Sequence, residues 1–217
     1  SCIFDVYYYR KTVNGKEVGM PVVLYSSFTH HTAPMLAYRF DQGDGPDYFD
    51  PEGASLRKAF LKSPIEFGRM SSGYNKKRFH PVLKKIKPHL GTDYAAPKGT
   101  PIRAVGDGVV IKSEYRGGNG NYVKNRHNST YETQYLHMSK RKVSVGDRVK
   151  QGQTIGLVGS TGLATGPHVC YRFWKNGEQV NHRREIFPPS TPVREDAMGA
   201  FATEVKRLVA EADLLLN

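Results

Sequence analysis

The stretch Thr165-Gly-Pro-His-Val-Cys-Tyr-Arg-Phe173 decides how this chain is read. Gly166 and Pro167 close a glycine-rich loop, and from His168 onward alternating apolar residues mark a strand. Side chains two apart on a strand share a face, roughly 7 Å apart along it. His168 and Cys170 therefore point one way and Val169 and Tyr171 the other. Imidazole and thiolate are both good zinc ligands. A His-x-Cys pair is common by chance, so it becomes a site only if the rest of the chain brings more ligands to the same face.

Two further segments supply candidates. In His89-Leu-Gly-Thr-Asp93 an imidazole and a carboxylate stand four apart. Pro88, Gly91 and Thr92 oppose a helix here, so the segment reads as a turn entering a strand. Taken alone it would be a surface histidine beside an acid. In Tyr135-Leu-His137-Met-Ser139 the alternation through Tyr131, Thr133 and Tyr135 places His137 at a strand end. Taken alone, that histidine would be structural or merely exposed. Together the three segments supply His89, Asp93, His137, His168 and Cys170, each at a strand end or turn.

The 217 residues suffice for one substantial core and a small second module. There are 38% hydrophobic residues and 22 glycines, with no apolar run long enough for a transmembrane span. The formal net charge of +12 suits an acidic polymer, such as a bacterial cell wall, an anionic lipid surface or nucleic acid. The basic residues are dispersed, which argues against nucleic acid. Two cysteines, Cys2 and Cys170, are too few for a disulfide scaffold. No secretory signal is visible, and the strand-like sequence from Phe4 predicts a processed or cut N-terminus.

Along the chain, Ile3 to Tyr9, Pro21 to Tyr25 and Leu36 to Phe40 read as strands, the first two separated by the turn signal Asn14-Gly15. Ala54 to Leu61 reads as one or two helical turns ended by Pro64. From Ile65 to Phe187 short strands recur: Pro101 to Val105, Gly108 to Tyr115, Asn121 to Arg126, Tyr131 to His137 and Thr154 to Val158. This spacing predicts an antiparallel sandwich or barrel. Thr191-Pro192 predicts the start of a C-terminal helix. Met198, Phe201, Val205, Leu208, Val209, Ala212 and Leu215 then form a narrow apolar stripe, as expected for a helix packed on its own domain surface or against a partner, the first being the simpler reading.

The ordered motifs resemble the zinc metallopeptidases of the lysostaphin and LytM type. That family carries His-x-x-x-Asp, a Tyr-x-His-(Leu or Met)-Ser strand end and Gly-Pro-His-x-His. This chain matches at His89 and Asp93, at Tyr135 to Ser139 and at Gly166 to His168. Arg69-Met-Ser-Ser, His80-Pro81, Asp93-Tyr-Ala-Ala-Pro-Lys-Gly-Thr-Pro, Gly106-Asp-Gly-Val-Val and Gly152-Gln-Thr-Ile-Gly-Leu-Val-Gly-Ser-Thr-Gly match as well. The resemblance implies a mainly β chain: a partial N-terminal β module over 1–63, an antiparallel β-sheet sandwich over 64–187 and a C-terminal helical extension over 188–217.

The resemblance also implies one Zn2+ per chain. His89 and Asp93 would be ligands, His168 the histidine that assists catalysis and His137 its partner. The family's third ligand is the last histidine of its third motif, and here that position is Cys170. Two anionic donors would cancel the formal charge of the zinc, whereas a His, His, Asp shell leaves one positive charge. Arg69, Ser71, Ser72 and Tyr74 would wall the substrate groove. The implied activity is hydrolysis of peptidoglycan cross-links by a D,D-endopeptidase, monomeric and located in the periplasm or secreted. The alternative is a weakened relative that binds cell wall or activates another wall hydrolase. His80 and His127 read as rim or surface residues, Tyr94 and Trp174 as packing, and His30, His31 and His182 have no assignable partner.

Overall fold

The computed structural model describes residues 2–30, 34–80, 85–86 and 88–216. They fall into two compact units, Ser1–Ala59 with Phe187–Asn217, and Phe60–Ile186. The C-terminal segment, expected as an extension of its own, thus belongs with the N-terminal strands.

In the first unit, β1 (Cys2–Val13), β2 (Lys16–His30), β3 (Met35–Asp41) and β4 (Pro46–Phe49) form an antiparallel sheet in chain order. Asn14 and Gly15 both take positive φ, 49° and 74°, as a two-residue hairpin turn requires. The helix α1 (Met198–Leu216) buries Phe201 and Leu208 in one cluster with Tyr38, Phe49 and Val193. The Phe201 ring meets the rings of Phe40 and Phe49 edge-on at 5.3 and 5.8 Å. Burying each of these side chains stabilises the unit by about 1.5–3 kcal/mol; the stripe packs in this unit from Met198 to Val209, whereas Leu215 near its end is 72% exposed.

Two expectations fail here for the same reason, that backbone groups find partners elsewhere. Residues 54–61 are not helical. Ala54 N–H donates to the Asp50 side chain, Leu56 N–H to Tyr48 O, Ala59 N–H to Pro188 O and Leu61 N–H to Val105 O. The C-terminal helix does not start at Pro192 either. Val193 N–H donates to Gly53 O and Arg194 N–H to the Gln42 side chain, and helical turns begin only with the 3₁₀ turn Glu195–Ala197.

Among the described residues, the regular structure of the second unit is nearly all strand. It runs β5 (Arg69–Ser72), a small hairpin of β6 (Phe79–His80) and β7 (Lys85–Ile86), then β8 (Thr92–Ala95), β9 (Pro101–Arg103), β10 (Gly108–Arg116), β11 (Gly120–Arg126) and β12 (Tyr131–Met138). It continues with β13 (Lys140–Arg141), β14 (Arg148–Val149), β15 (Thr154–Leu157), β16 (His168–Lys175) and β17 (Glu178–Val180). The main antiparallel sheet has the order β14-β10-β11-β12-β16-β8-β5, with β17 also on β16; β13-β15-β9 form a second sheet. This is the architecture expected of the lysostaphin type.

β12 is buried from Thr133 through Met138, on both faces, which places it in the middle of the sheet. Its Tyr135 hydroxyl, fully buried, accepts a hydrogen bond from Val105 N–H. β16 runs between β12 and β8, so the site-bearing strand is held on both edges.

Candidate metal centre

Register brings the first two donors together. Across β8 and β16, Cys170 pairs with Asp93 and Tyr171 with Thr92. Successive residues alternate faces, so Asp93 and Cys170 project side by side. His89 arrives from the turn before β8. Its backbone is clamped to Asn75 by two reciprocal hydrogen bonds, each 2.8 Å. Gly91 lets this turn pass: a Cβ there would lie 3.0 Å from both Cys170 Sγ and Tyr171 O.

The donor atoms converge. His89 Nε2 lies 3.1 Å from Asp93 Oδ1 and 3.7 Å from Cys170 Sγ. One donor atom from each of the three residues lies within 4.8 Å of the others. Zinc bonds run about 2.0–2.3 Å, so ligands on one ion lie roughly this far apart, and the N, O and S donors suit zinc. His89 Nδ1 is 2.9 Å from Gly73 O and donates to it as N–H, which turns Nε2 toward the other donors.

Burial works against the Asp93 carboxylate, but the hydrogen bond and charge of His89, with help from Cys170 and His168, hold its pKa below the usual value. Cys170 is different. Burial, then the Asp93 charge, push its thiol up to about 12. Without a cation the sulfur keeps its proton; a divalent ion among these donors is the partner that would let it ionise.

His137 and His168 stand beside this cluster, ring centroids 4.7 Å apart. His168 Nε2 is 3.9 Å from Asp93 Oδ1. Each ring is oriented through Nδ1, His137 by Thr161 O and His168 by Gly166 O, both at 2.8 Å. Nε2 of each is thereby left for chemistry. His137 sits at φ 64°, a left-handed conformation rare outside glycine that commonly marks functional positions. Burial, opposed by its Thr161 hydrogen bond and helped by His168, lowers its pKa to about 4.

The glycine-rich segment before β16 explains the His137 geometry. A Cβ on Gly159 would lie 2.3 Å from Ser139 N and 2.7 Å from His137 O, so this loop packs directly on the strand end. Its Thr161 carbonyl then receives the His137 ring. Because the contact is made by backbone, no side-chain motif could announce it.

The remaining predicted residues divide. Ser72 Oγ lies 3.5 Å from His89 Nδ1, Ser71 Oγ donates to Asp93 O, and Tyr74 OH donates to Gln179 O. Arg69 is exposed on β5. His127 is not a rim residue: its ring bridges Asp107 O and Thr133 Oγ1 and packs edge-on against Phe60. His182 is buried between Tyr94, whose hydroxyl is 3.1 Å from Nε2, and the Tyr171 ring. Pro81 and His31, with the side chains of His80 and His30, lie outside the described residues. Arg78 carries no motif in the sequence and emerges only from the fold; its guanidinium is 3.0 Å from Ser72 Oγ and 3.7 Å from Asp93 Oδ2.

Residues 87–182, which hold all five candidate residues, match the model of peptidase family M23. The chain carries a domain of this family. Over 204 residues it is 45% identical to the peptidoglycan DD-endopeptidase ShyC of Vibrio cholerae serotype O1, covering 94% of this chain and 47% of that protein. The DD-endopeptidase ShyA of the same organism is 38% identical over 206 residues, with 94% and 47% covered. This chain spans about half the length of these curated relatives. A solved zinc-containing peptidase from Vibrio cholerae superposes with a TM-score of 0.58 at 35% identity, covering 85% of this chain and 57% of that one. The strands β8, β12 and β16 that carry the candidate residues lie within the matched span.

Proposed function

We propose that this chain carries the catalytic site of a zinc endopeptidase that hydrolyses D,D peptide cross-links of bacterial peptidoglycan. One observation carries the reading: three donors of zinc-binding type converge beside two histidines whose rings are each held through Nδ1, with His168 Nε2 turned toward Asp93. His89, Asp93 and Cys170 are the residues that hold the ion. Bound there, zinc supplies polarisation of the scissile carbonyl and an acidified water.

The protein's own groups do the rest. His137 is neutral at neutral pH and so able to accept a proton at Nε2. His168, beside Asp93, shares the work: between them the two imidazoles take a proton from the attacking water, steady the developing oxyanion and return a proton to the leaving amine. Thr161 O and Gly166 O keep both rings in the tautomer this needs. Arg69, Ser71, Ser72 and Tyr74 line the approach for substrate.

Relatives named as peptidoglycan DD-endopeptidases support the substrate, and the formal charge of +12 suits a carboxylate-rich wall. The reading places the protein in the bacterial envelope. All but one of the family's usual site residues are retained, the exception being Cys170, and this favours an enzyme over a weakened wall-binding relative. Digestion of defined cross-linked muropeptides, with products identified by mass, tests it. Dimers should fall to monomers, and a chelator should stop the reaction. Intact dimers in the presence of zinc would refute it.

A further inference from the structure

Three features of residues 72–78 point at the donor set from its outer side. The Asn75 backbone clamps the His89 backbone with two hydrogen bonds. Gly73 O takes the His89 Nδ1 proton. Arg78 Nη1 donates to Ser72 Oγ at 3.0 Å and stands 3.7 Å from Asp93 Oδ2. Ser72 is itself the register partner of Asp93 across β5 and β8. Residues 72–78 precede the span that matches the family model, 87–182.

The two oxygens of Asp93 face different ways. Oδ1 is the atom near His89 Nε2 and His168 Nε2, at 3.1 and 3.9 Å, whereas Oδ2 is the one near Arg78. The His89 hydrogen bond holds Oδ1 on the inner side, and the Arg78 guanidinium stands on the other oxygen, so the carboxylate is flanked on both sides.

We infer that residues 72–78 are a brace for the metal centre, in which Arg78, held by Ser72, keeps Asp93 turned so that Oδ1 faces the other donors. This rests on the reading that His89, Asp93 and Cys170 hold zinc. Arg78 is a positioning residue, acting on the metal through Asp93. It also brings a permanent positive charge beside a donor set with two anionic members, which the replacement of a ligand histidine by Cys170 makes unusually electron-rich.

Supporting groups that orient metal ligands are worth roughly 10–100-fold in metal affinity. The pair is half-buried, with side chains 31% and 13% exposed, and its long 3.7 Å separation makes its contribution to global stability small. The two roles therefore separate. Zinc affinity is measured on the whole chain by competition with a chelator, for the wild type, Arg78→Gln and Ser72→Ala. The melting temperature of each metal-free protein is measured alongside. Arg78→Gln should bind zinc about tenfold or more weakly, and Ser72→Ala should fall between it and the wild type. The metal-free melting temperatures should agree. Unchanged zinc affinity in Arg78→Gln overturns the inference, and so does a loss of affinity matched by a lower metal-free melting temperature. Failure of the wild type itself to bind zinc would instead sink the reading of the site, and is seen separately.

Discussion

Asp93 and Cys170 are direct cross-strand partners on β8 and β16, so the carboxylate and the thiol that would each bring a negative charge to the metal come from one register pair. Neither can be moved without shifting the pairing of both strands. Cys170 is 3% exposed and packed with Tyr122 and Leu136, so its sulfur has little access to solvent.

That burial makes the state of the thiol a test of the metal. Zinc must displace a proton that burial and Asp93 otherwise hold up to about 12. With one proton displaced at the sulfur, apparent zinc affinity should fall by about tenfold per pH unit as pH drops. Cys170→Ala should lose most of its zinc. Cys170→His should restore a ligand set with one more formal positive charge, and hydrolysis should then speed up or its pH optimum move lower. Chelator competition over pH and metal content of the two variants check this. Full zinc in Cys170→Ala would make the thiol a bystander.

Ligands and proton carriers should part company on substitution. His89→Ala and Asp93→Ala are expected to lose zinc and with it activity. His137→Ala and His168→Ala are expected to keep zinc and lose about 10²–10⁴-fold in rate. Metal analysis beside muropeptide turnover separates the pairs. A His168→Ala protein as empty of metal as His89→Ala would reassign the donors.

What is legible in the sequence depends on the kind of group that makes each contact. The five site residues carry side-chain chemistry at strand ends, and strand alternation alone puts His168 and Cys170 on one face. Antiparallel β architecture is legible for the same reason. The orienting carbonyls of Gly73, Thr161 and Gly166 are not, because any residue has a carbonyl and only tertiary packing aims it. Arg78 is hidden in a basic run, Lys76-Lys77-Arg78, where nothing distinguishes a braced guanidinium from a solvated one. The helix expected over 54–61 fails because local apolar spacing says nothing about distant carbonyls such as Pro188 O and Val105 O, which take its amides.

The packing of the glycine-rich loop on β12 makes Gly159 a sensitive position. An added methyl would meet Ser139 N and the His137 and Met138 backbone, all of which are fixed by the sheet. Gly159→Ala should destabilise the unit by about 1–3 kcal/mol through overpacking. Because Thr161 O belongs to the same loop, the His137 ring should lose its orientation too. Urea denaturation and turnover at full zinc occupancy check both effects. A variant as stable and as fast as the wild type would show that the loop is free to retreat.

A histidine outside the site should make stability depend on pH. His182 is 5% exposed, with Tyr94 and Tyr171 against its ring. Burial first, then the charge of Arg183, lower its pKa to about 4, against a small rise from the Lys62 backbone. Above the unfolded value of about 6.5 the ring is neutral in both states and adds no pH dependence. As pH falls below that value the unfolded chain takes up a proton that the folded chain refuses, so stability drops until about pH 4, where the folded ring protonates as well. At roughly 1.4 kcal/mol per pKa unit the loss approaches ~3 kcal/mol. His127, whose pKa burial also lowers, acts in the same direction. His182→Gln removes the group that titrates and should flatten the urea-midpoint profile between about pH 7 and about pH 4. The variant is expected to be less stable than the wild type near neutrality and to close that gap as the solution is acidified. Parallel profiles for the two proteins would show that His182 takes its proton in the fold as easily as in the unfolded chain.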